Sequence, residues 1–208
     1  RDKAAVLRPG RPAVVVDAPE QAAQVIEAEA ARVGAPLLRL GRELRAEVLD
    51  DGQVRLGVGA RRFGPLTLSL LGPHQARNAA LATAAALCVD PTLGDDEVHH
   101  ALTHTRWPGR MEVFARAGRP PLLLDGAHNA QGVEALVRAL THDRARFGRP
   151  LHLVFAVLGD KDAAPMIAAL APHVASLTLT RPSNSTRARA PDELRALLPS
   201  SPGLPCAV

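Results

Sequence analysis

Pro121-Leu122-Leu123-Leu124-Asp125-Gly126-Ala127-His128-Asn129 sets a short apolar run against an abrupt cluster of polar and turn-forming residues. A helical pattern begins at once, with Val133, Leu136, Val137 and Leu140 on one face. A buried strand feeding a helix has this grammar, because the apolar run gives way to 3.6-residue periodicity at a polar turn. In parallel α/β sheets, ligands lie in the crevice beyond the carboxyl ends of the strands, so Asp125 and His128 stand where a ligand would bind. Turn chemistry gives the same residues a plainer role, an Asx turn and a helix capped by Asn129.

Working outward from that turn, strand and helix patterns alternate. Strands are expected near Glu112–Ala115, Leu122–Leu124, Leu151–Val157 and Ser176–Thr180, and helices near Gln131–Phe147, Ala163–Leu170 and Pro191–Leu198. The alternation implies a parallel sheet covered by helices. No strand is expected in Pro199–Val208.

The preceding part reads differently. Ala13–Val16 and Pro36–Leu40 read as strands flanking a helix that runs to Val33, with capping-box spacing in Asp17-Ala18-Pro19-Glu20. Leu44–Val48 and Val54–Val58 read as a hairpin, because Asp50-Asp51-Gly52 supplies the positive-φ residue such turns require. A further strand is expected at Leu66–Leu71, then helices at His74–Cys88 and Asp95–Thr105. Arg106-Trp107-Pro108-Gly109 is the natural hinge, dividing the chain into residues 1–107 and 108–208.

Composition narrows the function. The 208 residues carry a formal charge of +4 and no tyrosine, and aromatics make up 2%, so the core must be aliphatic. No basic run is interleaved with aromatics, which argues against nucleic-acid binding, whereas an anionic small molecule suits the charge. Cys88 and Cys206 form no disulfide or Cys-x-x-Cys pattern, which fits a reducing cytoplasmic setting. No apolar stretch is long enough to span a bilayer. His100 and His104 have the i, i+4 spacing of a helical metal pair, but lack a Glu-x-x-His partner, and a solvated helix face accounts for them.

Several motifs, taken together, carry a resemblance. Pro108-Gly109-Arg110-Met111-Glu112, Asp125-Gly126-Ala127-His128-Asn129 and His74-Gln75-Ala76-Arg77-Asn78-Ala79-Ala80 resemble motifs of the folylpolyglutamate synthase/dihydrofolate synthase branch of the Mur ligase superfamily. Arg1-Asp2-Lys3-Ala4-Ala5-Val6-Leu7-Arg8-Pro9 resembles the family's Arg-Glu-Lys-Ala-Gly-Ile-Ile-Lys-Pro segment, with Ala5 replacing a glycine. Leu158-Gly159-Asp160-Lys161-Asp162 resembles its Lys-Asp turn. The matches run in family order to about Leu194.

The resemblance implies an α/β fold. Residues 1–107 would be part of a Mur-ligase-type central domain with a small β element, and residues 108–208 a Rossmann-like C-terminal glutamate-ligase domain. It implies an ATP-dependent ligase that adds L-glutamate to folate or dihydropteroate through an acyl phosphate. ATP and Mg2+ are the implied cofactors, and the enzyme is expected to be a cytoplasmic monomer. By resemblance, Asn78 binds adenine, Arg110 the ATP phosphates and Asp125 the ribose hydroxyls. His128 faces the transferring group or the incoming amine, Lys161 pairs with a glutamate carboxylate, and Lys3, once carbamylated, helps hold magnesium.

Each role has a chemical basis and a plainer competitor. A guanidinium stays charged and presents a fork to phosphate oxygens, although Arg110 could simply pair with Glu112. An amide offers donor and acceptor to adenine, although asparagine is common on helix faces. Only a primary amine can be carbamylated, and lysine occurs only at positions 3 and 161 in an arginine-rich chain. Lys161 could equally be a solvated turn residue. Two other functions compete: a Mur-type peptidoglycan ligase, and a non-catalytic nucleotide- or folate-binding module. The absence of any Gly-Lys dipeptide keeps the last alive, since the family's phosphate loop is not among these residues. The chain is therefore expected to be a piece of a longer enzyme, inactive alone.

Overall fold

The computed structural model describes residues 4–148, 150–198 and 204–207. The chain divides into two compact units, Arg1–Arg106 and Trp107–Val208.

In the first unit, β1 (Ala13–Val15), α1 (Glu20–Val33) and β2 (Leu37–Arg39) form a β-α-β unit whose strands pair in parallel, Ala13 opposite Leu37. Gly34, at φ +65°, ends α1 in the left-handed conformation that glycine adopts without steric penalty. The capping box expected from Asp17 to Glu20 does not form. Pro19 is the N-cap, no side chain caps the helix, and Asp17 instead pairs with Arg77. Beyond β2, Glu43 accepts from the Arg39 backbone N–H at 2.9 Å and from its guanidinium at 3.0 Å. Those bonds hold the Glu43 carboxyl down to about 2.

An antiparallel meander follows, made of β3 (Leu44–Val48), β4 (Val54–Val58) and β5 (Arg61–Leu66). The Asp-Gly hairpin forms as the sequence implies, with Gly52 at φ +81° and Asp51 Oδ1 accepting from the Gln53 N–H at 3.0 Å. The strand expected at Leu66–Leu71 lies earlier, at Arg61–Leu66. Gly59, at φ +56°, lets the chain reverse at once, so Val58 already faces Arg61. The segment after Leu66 leaves the sheet, and the Ser69 hydroxyl donates to the carbonyls of Leu102 and Thr105.

Val54, Leu56, Phe63 and Leu66 on the sheet pack with Ala76, Ala79 and Ala80 of α2 (His74–Val89) and Val98 of α3 (Asp95–His104). Alanine on the packed face lets α2 approach the sheet closely, and its high propensity sustains the helix. His100 and His104 stack with ring centroids 4.1 Å apart, and no group of three metal-ligating side chains exists among the described residues.

The second unit opens with β6 (Glu112–Arg116) and β7 (Arg119–Leu124), and here one expectation fails. Leu122–Leu124 does not join the parallel sheet; among the described residues β7 pairs only with β6, antiparallel. The two strands are joined by Ala117-Gly118, with Gly118 at φ +67°, a connection short enough to force a hairpin. Pro120 and Pro121 offer no N–H to a ladder, and Leu122 and Leu124 stay exposed, unlike a strand covered on both faces.

After α4 (Ala130–His142) and a short α5 (Arg144–Phe147), β8 (His152–Phe155), α6 (Ala163–Leu170), β9 (Ser176–Leu179), α7 (Pro191–Arg195) and β10 (Cys206–Ala207) complete the unit. The single helix expected over Gln131–Phe147 is broken at Asp143, whose side chain caps α5 through the Arg146 N–H at 3.0 Å. The sheet order is β10-β9-β8, all parallel, so the chain end does contain a strand where none was expected. Val133, Met166, Ile167, Leu177, Leu179 and Leu194, with the single aromatic Phe155, form its core. Parallel strands alternating with helices make this unit Rossmann-like. Among the described residues no helix is long and apolar enough to cross a membrane.

Candidate active site

The turn after β7 is organised by one carboxylate. Asp125 Oδ1 accepts from the Ala127 N–H at 2.8 Å, the Asx turn expected of this sequence. Its Oδ2 accepts from the Met111 N–H at 3.0 Å, fourteen residues earlier. The Gly126 N–H donates to Gly109 O at 2.7 Å, which ties the Pro-Gly-Arg-Met segment to the Asp-Gly-Ala-His segment a second time.

Met111 is buried at 2% exposure and sits at φ +47°, the only non-glycine residue with positive φ among those described. That region is unfavourable for a long side chain and persists only where surroundings over-determine it. Asp125 and the buried thioether supply that constraint. Glu112 Oε2 accepts from the Gly109 N–H at 2.9 Å, so Glu112 is committed to the backbone and does not pair with Arg110. The Arg110 side chain is exposed and has no ion pair among the described residues. Met111 and Glu112 hold this segment in ways the sequence did not assign to them; the three-residue step from Gly109 to Glu112 was the available signal.

His128 lies on the same turn, exposed, with Nδ1 2.8 Å from Gly126 O. A carbonyl only accepts, so Nδ1 carries the hydrogen and Nε2 of the neutral ring is left as an acceptor. Asn129 caps α4, accepting from the Gly132 N–H at 2.7 Å. The plainer role therefore holds for Asn129 and coexists with the arrangement of Arg110, Asp125 and His128.

The remaining site residues stand elsewhere. Lys161, in the loop after β8, is 3.0 Å from Asp160, and this contact lowers the Asp160 carboxyl below its ordinary range. In the first unit, Asn78 is exposed on α2 and donates to Gln75 Oε1 at 3.0 Å. The buried Gln75 amide in turn lies 3.1 Å from His74 Nε2. This relay fixes which way the Asn78 amide faces and leaves its oxygen and second N–H uncommitted. Lys3 lies outside the described residues.

The Rossmann-like unit with a carboxylate-organised turn defines a class. Residues 109–205 match the family model for the glutamate ligase domain of Mur ligases. The chain is 33% identical over 196 residues to the dihydrofolate synthase/folylpolyglutamate synthase of Bacillus subtilis, covering 88% of this chain and 44% of that protein. The folylpolyglutamate synthase of Mycobacterium tuberculosis complexed with ADP is 31% identical, with a TM-score of 0.78 over 89% of this chain and 42% of its own. A bifunctional folylpolyglutamate synthase/dihydrofolate synthase with Mn, AMPPNP and L-glutamate bound is 29% identical, with a TM-score of 0.78 over 99% of this chain and 46% of its own. The chain thus spans less than half the length of these relatives. Over most of its length it is similar to one part of the folylpolyglutamate synthases and dihydrofolate synthases, and residues 109–205 to the glutamate ligase domain of Mur ligases.

Proposed function

We propose that these residues are part of an ATP-dependent ligase that joins L-glutamate to a folate, by extending tetrahydrofolate polyglutamates, by converting dihydropteroate to dihydrofolate, or by both. The observation that carries this is the Asp125-held turn, which presents an uncommitted Arg110 and an Nδ1-anchored His128 on one backbone framework.

The substrate carboxylate attacks the γ-phosphorus of ATP and ADP leaves. The glutamate amine then adds to the carbonyl carbon of the acyl phosphate, gives up a proton, and phosphate departs. Arg110 neutralises charge on the phosphoryl group, with no internal partner among the described residues competing for its guanidinium. His128, its tautomer set by Gly126 O, accepts the proton of the incoming amine at Nε2. Asn78 reads adenine with the amide edge that Gln75 leaves free, and Asp125 accepts from the ribose with lone pairs not used by Met111 and Ala127. Lys161 meets a carboxylate of the incoming glutamate.

The described residues do not by themselves make a magnesium site, so no step is assigned to one. A carbamylated Lys3 as magnesium support rests on the resemblance alone. Both cysteines are free, which suits a cytoplasmic setting, and a monomer is proposed. A test is ATP turnover by the ligase containing these residues, supplied with glutamate and one acceptor at a time. ADP release is expected with tetrahydrofolate or dihydropteroate. Turnover with a muramoyl-nucleotide acceptor only would make it a peptidoglycan ligase, and no turnover with any acceptor would leave a binding module.

A further inference from the structure

Arg189 belongs to none of the motifs above, yet its side chain bonds two backbone carbonyls twenty-eight and thirty residues away. The segment around it runs against the end of β8: the Gly159 N–H donates to Arg187 O at 2.8 Å, the Arg189 N–H to Val157 O at 2.9 Å, and Leu158 bridges Ala188 antiparallel. This register lays the Arg189 side chain across the turn that carries Lys161. Its Nη2 donates to Gly159 O at 3.0 Å and to Lys161 O at 3.2 Å, and the turn is closed by the Lys161 N–H on Leu158 O at 3.1 Å.

Arg189 therefore grips both arms of one tight turn. Arg189 is half-buried, and its Nε is covered without an acceptor among the described residues, an unmade hydrogen bond that the Nη2 contacts offset. No carboxylate pairs with it among the described residues; its positive charge is directed at backbone carbonyls. Both bonds leave from the one Nη2, whose two N–H groups serve carbonyls two residues apart, and a guanidinium does not lose its proton. Asp160, between the gripped residues, lies 3.0 Å from Lys161 Nζ and 3.8 Å from Arg187 Nη2.

We propose that Arg189 is a positioning residue that fixes the Gly159–Lys161 turn, so that the Lys161 ammonium is presented in one orientation to the carboxylate of the incoming amino acid. The last clause rests on the role given to Lys161 above.

Lysine occurs only at positions 3 and 161, so a lysine-specific protease has two sites in this chain, and cutting after Lys161 is recognised by the size of its products. In native buffer, Arg189→Met should raise the rate of cutting after Lys161 by about tenfold or more, with Arg189→Gln intermediate because it keeps an NH2 group on a shorter side chain. The urea midpoint of each variant is measured alongside. Unchanged cutting overturns the clamp, and so does faster cutting that only tracks a lower midpoint in both variants.

In the ligase, Arg189→Met should raise KM for glutamate about tenfold and leave kcat within about twofold, the pattern of lost ground-state binding. Lys161→Ala should raise that KM at least as much. A raised KM in Lys161→Ala with an unchanged one in Arg189→Met overturns the positioning role. An unchanged KM in Lys161→Ala removes the glutamate role of Lys161 instead, and the clamp is then judged by proteolysis alone.

Discussion

Arg110→Ala should lower kcat for folate-dependent ADP release by the ligase containing this chain by a factor on the order of 10²–10³, the range for losing one preorganised charge stabiliser. The expectation follows from the freedom of that guanidinium. Glu112, its sequence neighbour and most obvious partner, is bound to the Gly109 N–H, and the described residues give Arg110 no other carboxylate. A cation left exposed on a backbone framework held by Asp125 is available to an anionic ligand. Its removal breaks no internal ion pair, so the thermal midpoint of the variant should stay close to that of the parent. Arg110→Lys should recover part of the rate, since it restores charge but not the bidentate fork. A kcat within twofold of the parent in Arg110→Ala would take this residue out of the reaction.

The second large effect is expected at Asp125. Both carboxylate oxygens are engaged, one by Ala127 within the turn and one by Met111 across from it. Asp125→Ala removes two charge-assisted bonds and releases Met111 from its positive-φ conformation, so the second unit should lose about 2–3 kcal/mol in urea unfolding. Activity should fall further than in Arg110→Ala, because the framework presenting both Arg110 and His128 is disturbed. Asp125→Asn is the informative control: one oxygen can still accept, while its NH2 group would face a backbone N–H. It should fold more stably than the alanine variant yet stay impaired. Parental stability in Asp125→Ala would mean that these bonds do not organise the turn.

The legible features were those written in neighbouring residues. Asp50-Asp51-Gly52 announced its hairpin because a positive φ two residues into a tight turn is a local demand. The Asn129 cap and the Asx turn of Asp125 are likewise satisfied within a few residues. Strand partnership is not local. Leu122-Leu123-Leu124 reads as a buried parallel strand on its own, but its pairing was settled by the short Ala117-Gly118 connection and by the prolines beside it. The β5 strand was misplaced for a related reason: Gly59 turns the chain earlier than the apolar run at Leu66–Leu71 suggested.

At the site, sequence picked out chemically capable residues but not the groups that hold them. Arg110, Asp125 and His128 were conspicuous as types in a motif. The bond from Met111 to Asp125 spans fourteen residues of sequence, and that from Arg189 to Lys161 spans twenty-eight. Both end on backbone atoms, which every residue shares, so no side-chain pattern announces them.

The central claim is that the chain serves a ligase that activates a folate carboxylate as an acyl phosphate, and the fate of one oxygen atom tests it most directly. Folate labelled with 18O in its terminal γ-carboxylate is incubated with ATP, magnesium, glutamate and the ligase containing these residues, and the released phosphate is analysed by mass spectrometry. Attack of that carboxylate on ATP predicts one 18O atom per phosphate, in step with the amide bonds formed. Unlabelled phosphate alongside glutamylated product would contradict the acyl-phosphate route.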